Sequence, residues 1–180
     1  MMEEKQNTFE NMIAGDLHTY LHAKGFVGTV LQSSPDIEDK WESIARSYIP
    51  DGAREFGSFP TAVLAWMMYI GMAVAQYWET EWEVYGKVDD LYAHIRDKRD
   101  YDHLDETVCE EILRLDGEEQ KQLMALVAEC AQRTYDNLLR QRLEPGTAEA
   151  FRGFIACLHQ LYLHGVAVQL QRQGYHMEAI

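Results

Sequence analysis

The side chains best suited to chemistry in this 180-residue chain fall on two apolar stretches, near 59–78 and 151–170. On and just beyond the first, Trp66, Tyr69, Met72 or Ala73, Gln76, Glu79 and Glu83 recur at three- and four-residue steps and so share one helix face. On the second, Ile155, His159, Tyr162, Val166 and Gln169 follow the same spacing. A buried His, Tyr or Gln needs a hydrogen-bond partner, since leaving one unsatisfied costs about 1–3 kcal/mol. Two arrangements meet that need. In the simpler one, the two faces satisfy each other as a polar seam through the core. In the other they line a small cavity between helices, with His159 as its titratable group. The candidate pocket is therefore Trp66, Tyr69, Gln76, His159, Tyr162 and Gln169.

Glu79 and Glu83 stand one helical turn apart, a spacing that could hold a divalent cation together with an outside ligand. His159 is the candidate for that ligand, and an acidic site of this kind would suit a phosphorylated substrate bound through the metal. In the same stretch Trp78 and Trp82 share an adjacent face and are large enough to anchor a partner. The plainer alternative is a helix leaving the core, its tryptophans packed on neighbours and its glutamates solvated. His18 and His22 also have a metal-sharing spacing, but they lie opposite the apolar stripe of their helix and no third ligand is assignable. His164 faces away from His159, so an unbroken helix does not offer both to one ion.

Named catalytic motifs are absent. The chain has no paired Glu-x-x-His units, no His-Glu-x-x-His, no Gly-x-x-x-x-Gly-Lys and no Gly-x-Ser-x-Gly. The aspartates between Asp97 and Asp105 lack the central glycine of a calcium-binding loop. Cys109, Cys130 and Cys157 are odd in number and widely spaced, which argues for reduced, buried thiols and a cytoplasmic location. No cofactor is assigned, although a divalent metal would find carboxylates here.

The elements that must position these residues are helical by their periodicity. Phe9, Met12, Ile13, Leu17, Tyr20 and Leu21 form a first stripe that Gly25 closes. Ser34-Pro35-Asp36 starts a second helix carrying Ile37, Trp41, Ile44, Ala45 and Tyr48, and Pro50-Asp51-Gly52 breaks it. Ser58 caps a third helix from Pro60 toward Tyr85. A short helix holds Val88, Leu91, Tyr92 and Ile95, and Asp100 or Asp102 caps a next one with Leu104, Val108, Ile112 and Leu115. Asp116 and Glu119 resemble a capping box ahead of Leu123, Leu126, Val127, Cys130 and Leu138. Glu144-Pro145-Gly146 ends that helix, Thr147 caps the last, and Gly174 closes it after a stripe from Phe151 to Val168.

The sum is an all-α, single-domain bundle of about seven helices with the two apolar helices at its centre. Those two also share a faint likeness. Tyr69-Ile70-Gly71-Met72-Ala73-Val74-Ala75-Gln76 resembles Tyr162-Leu163-His164-Gly165-Val166-Ala167-Val168-Gln169, a hint of internal duplication.

A formal net charge of −14 disfavours nucleic acid and anionic lipid as partners. The uncharged run from Phe56 to Trp78 is long enough to span a bilayer, yet it holds Gly57, Ser58, Pro60, Gly71 and Gln76, and acidic residues flank it, so a buried bundle helix explains it better. The favoured function is a non-enzymatic helical protein-interaction module that self-associates. The alternative is a metal-dependent enzyme or small-molecule binder with its site at the bundle centre.

Overall fold

Residues 2–174 are described here from a computed structural model of the chain. All their regular structure is helical. The long elements are α1 (Met2–Ala23), α3 (Trp41–Phe56), α4 (Pro60–Tyr85), α7 (Gly117–Arg140) and α8 (Ala148–Arg172). Between them lie the short helices α2 (Pro35–Glu38), α5 (Leu91–Arg96) and α6 (Leu104–Glu106), the last preceded by a 3-10 turn and followed by a π-helical segment, Thr107–Ile112.

Helices α4 and α8 form the centre, as their composition predicts. They make the most extensive contact in the molecule. Met67, Met68, Ile70, Met72 and Val74 on α4, and Leu158, Leu161, Val166 and Leu170 on α8, are wholly buried. Each such side chain contributes about 1.5–3 kcal/mol on leaving water. The two helices run side by side in the same direction, since Gly71 meets Tyr162 while Gln76, further along α4, meets Gln169 and Gln173. Their backbones touch at two glycines. A Cβ built on Gly71 would fall well under 3.0 Å from the carbonyl oxygen of Tyr162, and one on Gly165 equally close to that of Met68. Only a residue without a side chain admits that approach. Around this pair, α1 covers α8, α7 lies against α4, and α3 with α5 closes the remaining side.

Several local expectations need correction. Ser34 does cap a helix, accepting the Ile37 N–H at 3.3 Å, but that helix stops at Glu38 and α3 starts afresh at Trp41. Pro50 does not end α3, which continues to Phe56. The turn beyond the proline is held from outside: Asp51 accepts the Tyr92 hydroxyl at 2.5 Å and Arg96 at 3.2 Å, and Gly52 packs under the Tyr48 ring. These contacts offset the hydrogen bond that proline cannot donate.

Phe59, not Ser58, occupies the cap position of α4, and Asp116 precedes α7 without a side-chain cap bond. The stripe Leu104, Val108, Ile112 and Leu115 is buried as expected, but Leu104 is on α6, Val108 and Ile112 are on the π-helical segment, and Leu115 lies in the connection beyond it. Thr147 does cap α8, its hydroxyl oxygen accepting the Ala150 N–H at 3.1 Å.

One break was not foreseen. Within α4, Glu81 has φ −145° and ψ 35°. Eight residues of straight helix span about 12 Å, yet the rings of Tyr77 and Tyr85 stack with centroids 3.8 Å apart. The kink folds the last turn back. Lys40, at the head of α3, holds it there by donating to the carbonyls of Gly86 at 2.7 Å and Val88 at 3.1 Å.

Candidate functional site

The polar residues of the two central helices divide into three neighbourhoods. At the far end of α4, Gln169 Nε2 donates to Gln76 Oε1 at 3.0 Å, and Gln173 donates to the same oxygen at 2.7 Å. Near its start, the Trp66 indole N–H donates to the Tyr101 carbonyl at 2.7 Å, with the buried Tyr69 ring edge-on to Trp66. Burial, with Cys109 and Asp105 nearby, pushes the Tyr69 hydroxyl well above its usual range.

The third neighbourhood is on the outer side of α8. His159 Nδ1 lies 2.8 Å from Glu10 Oε2 and its ring stacks on Trp41 at 4.8 Å. Gln160 donates to the same carboxylate oxygen at 2.7 Å. Burial pushes the Glu10 carboxyl up, but the hydrogen bonds from His159 and Gln160 outweigh it and hold the group below its ordinary value. The Tyr162 hydroxyl donates to the Ile37 carbonyl at 2.8 Å. Of the candidate pocket residues, Trp66 thus meets Tyr69, Gln76 meets Gln169, and His159 and Tyr162 both meet the Trp41 ring.

The candidate metal ligands also stand apart. Glu79 and Glu83 are exposed and lie on either side of the break at Glu81, which removes the one-turn spacing. Gly71 is level with Tyr162, so Glu79 lies beyond that level and His159 short of it, roughly 16 Å apart along the axis. Among the described residues no group of three His, Cys, Asp or Glu side chains has metal-holding geometry.

Trp78 and Trp82 are half-buried. The Trp78 N–H donates to Asp36 at 3.3 Å, and the Lys40 ammonium sits over the Trp82 ring at 5.7 Å. Both tryptophans therefore seat the α2–α3 connection on the end of α4. His18 Nε2 bonds the Gly28 carbonyl at 2.9 Å, and its ring stacks on the exposed His22. Cys109, Cys130 and Cys157 are free and buried, and burial pushes the Cys109 and Cys130 thiols up to about 12.

The feature that sequence reasoning missed is a groove of about 700 Å3 at the other end of the bundle. It opens because the chain leaves α7 through Arg142, whose φ is 51°, turns at Gly146, whose φ is 82°, and re-enters α8 under the Thr147 cap. That arch stands off the helix ends. The floor is aromatic: the Phe56 ring meets Phe154 at 4.7 Å and Tyr135 edge-on at 6.1 Å. The walls carry Leu138, Leu139, Leu143 and Phe151. Leu139 is 55% exposed and Phe151 49%, and Phe59, close in sequence to the floor residue Phe56, is 60% exposed. Arg142 is the one charged residue lining the groove, and among the described residues no carboxylate lies in ion-pair reach of it.

The sequence does contain a trace of this groove. Leu139 follows Leu138 off the apolar stripe of α7, and Phe151 leads the stripe of α8. Periodicity leaves Leu139 outside the core but assigns Phe151 to it, and only the packing leaves Phe151 outside.

Compared with protein-family models, with curated proteins and with solved structures, the chain matches none. Among the described residues no helix is long and apolar enough to cross a membrane.

Proposed function

We propose that the chain is a single-domain, non-enzymatic interaction module whose working surface is the groove between the ends of α3 and α7 and the start of α8. The observation that carries this reading is that Leu139 and Phe151, both well exposed, line one groove over an aromatic floor. Large apolar side chains gathered at a surface mark interaction sites more often than those scattered singly. By contrast, the candidate titratable group His159 is already bonded within the fold, to Glu10, which also accepts from Gln160.

A second copy of the chain is the simplest apolar partner, since two-fold contacts between identical patches are the commonest form of assembly. The charge around the groove permits it. Beside the lining residues stand Arg54, Arg140, Arg142 and Arg152 against Glu55, Asp136, Glu144 and Glu149, a balance that the whole chain at −14 does not have. Three unpaired cysteines fit a reducing, cytoplasmic setting.

Sedimentation over a concentration series tests the proposal, with the wild type beside Leu139→Glu and Phe151→Glu. Association that both variants abolish supports it. Monomer at every concentration removes self-association, and association that both variants retain moves the contact away from the groove.

A further inference from the structure

The groove is built unevenly. Its floor and walls are hydrocarbon, from Phe56, Tyr135, Phe154, Leu138, Leu139 and Phe151, while its single charge is the Arg142 guanidinium on the connecting arch. Its volume of about 700 Å3 falls within the range of small-molecule sites, about 300–1,000 Å3. A guanidinium presents a planar fork of N–H donors that matches a carboxylate. The backbone under it is in the left-handed region, where glycine sits freely and a larger residue costs on the order of 1 kcal/mol. An arginine nevertheless holds the position, and its charge stays unmatched among the described carboxylates.

We infer that the groove binds an amphiphilic monocarboxylate, its hydrocarbon chain on the Phe56–Phe154 floor and its carboxylate paired with Arg142. The inference rests on the groove being the working surface but not on self-association. A ligand there would cover Leu139 and Phe151, and so compete with a second copy for the same face. The chemistry runs against the overall field: a chain at −14 attracts cationic amphiphiles and repels anionic ones. Preference for an anion would therefore report the local guanidinium and not the general charge.

Titration calorimetry with three probes, each below its micelle threshold, tests this. The probes are dodecanoate, dodecanol and dodecyltrimethylammonium. Wild type should bind dodecanoate at least about tenfold more tightly than dodecyltrimethylammonium. Arg142→Gln should remove that preference while dodecanol affinity holds, and Phe151→Ser should weaken all three. Far-UV circular dichroism checks that both variants fold. Equal affinity for the three probes, or an anion preference that survives Arg142→Gln, overturns the assignment and leaves a plain apolar surface. No binding of any probe also overturns it, and sedimentation of the wild type then decides separately whether the groove still serves as a protein contact.

Discussion

Gly71 and Gly165 occupy reciprocal places: each lies against the carbonyl of the residue three positions before the other, Tyr162 for Gly71 and Met68 for Gly165. The crossing of α4 and α8 thus has a local two-fold character. The sequence likeness between these helices is one residue out of step with it, because aligning Tyr69 with Tyr162 sets Gly71 beside His164. The aligned glutamines nonetheless touch, at 3.0 Å.

Alanine at either glycine should be costly, because the atom it meets is backbone and cannot rotate aside. Gly71→Ala and Gly165→Ala should each lose at least about 2 kcal/mol in urea denaturation. The double variant should lose less than the sum, since one displacement of the helices relieves both clashes. Stability unchanged by both would mean that the helices do not cross there.

His164 should make the fold acid-sensitive. It is 1% exposed, and its Nδ1 donates to the Gln160 carbonyl at 2.7 Å. Burial pulls its pKa down from 6.5 to about 4. The folded protein therefore keeps the ring neutral where the unfolded chain takes up a proton. Stability is full above pH 6.5, falls as the pH drops toward 4, and flattens below. The loss should be on the order of 3 kcal/mol. Burial lowers the pKa of His94 as well, with the same sign, so the difference between wild type and His164→Leu is the diagnostic quantity. Parallel stability–pH curves for the two proteins would refute the account.

Glu10 and His159 should prove unequal partners. His159→Phe keeps a ring on Trp41 and leaves Gln160 bonded to Glu10, so chemical denaturation should show a change within about 1 kcal/mol. Glu10→Ala removes the acceptor of the buried Gln160 amide and should lose about 1–3 kcal/mol. Because the folded Glu10 pKa is lowered, its contribution is present above pH 4.5 and lost as the pH falls through the folded value. Glu10→Ala should therefore flatten the acid limb below pH 4.5. A larger loss from His159→Phe than from Glu10→Ala would reverse this ranking.

Asp51 should decide whether α3 survives its proline. Asp51→Ala strips the acceptor from Tyr92 and the ion pair from Arg96, leaving the turn beyond Pro50 tied only by packing. Hydrogen exchange should then speed up at 52–56 and at the first turn of α5, with little change in α8. Uniform protection across α3 in the variant would show that the proline is tolerated without this anchor.

What could be read ahead was whatever burial alone dictates. The uncharged tract before Trp78 and the C-terminal apolar tract had to be interior, whereas cap residues were legible only in part: Thr147 caps α8, but Ser58 is not at the cap position of α4 and Asp116 makes no side-chain cap bond. Pro50 was misjudged because its rescue comes from Tyr92 and Arg96, more than forty positions away. The Glu79–Glu83 spacing assumed a continuous helix, and nothing near Glu81 announces that Lys40 will hold the next turn elsewhere. The groove escaped for a similar reason: Phe151 fits the stripe of α8, and only the arch through Arg142 and Gly146 leaves it outside.

The parallel pairing of α4 with α8 also sets an order of events during synthesis. The first nineteen residues of α4, Pro60 to Trp78, carry no charge, and the side that meets α8 stays uncovered until α8 follows some ninety residues later. At elongation rates of about 5–20 residues per second that wait lasts roughly 5–20 s. Loop closure over such a distance slows folding, and the interval leaves Met67, Met68 and Ile70 open to whatever else is sticky nearby. Nascent chains halted before Ala148 are where holdase chaperones should be found attached.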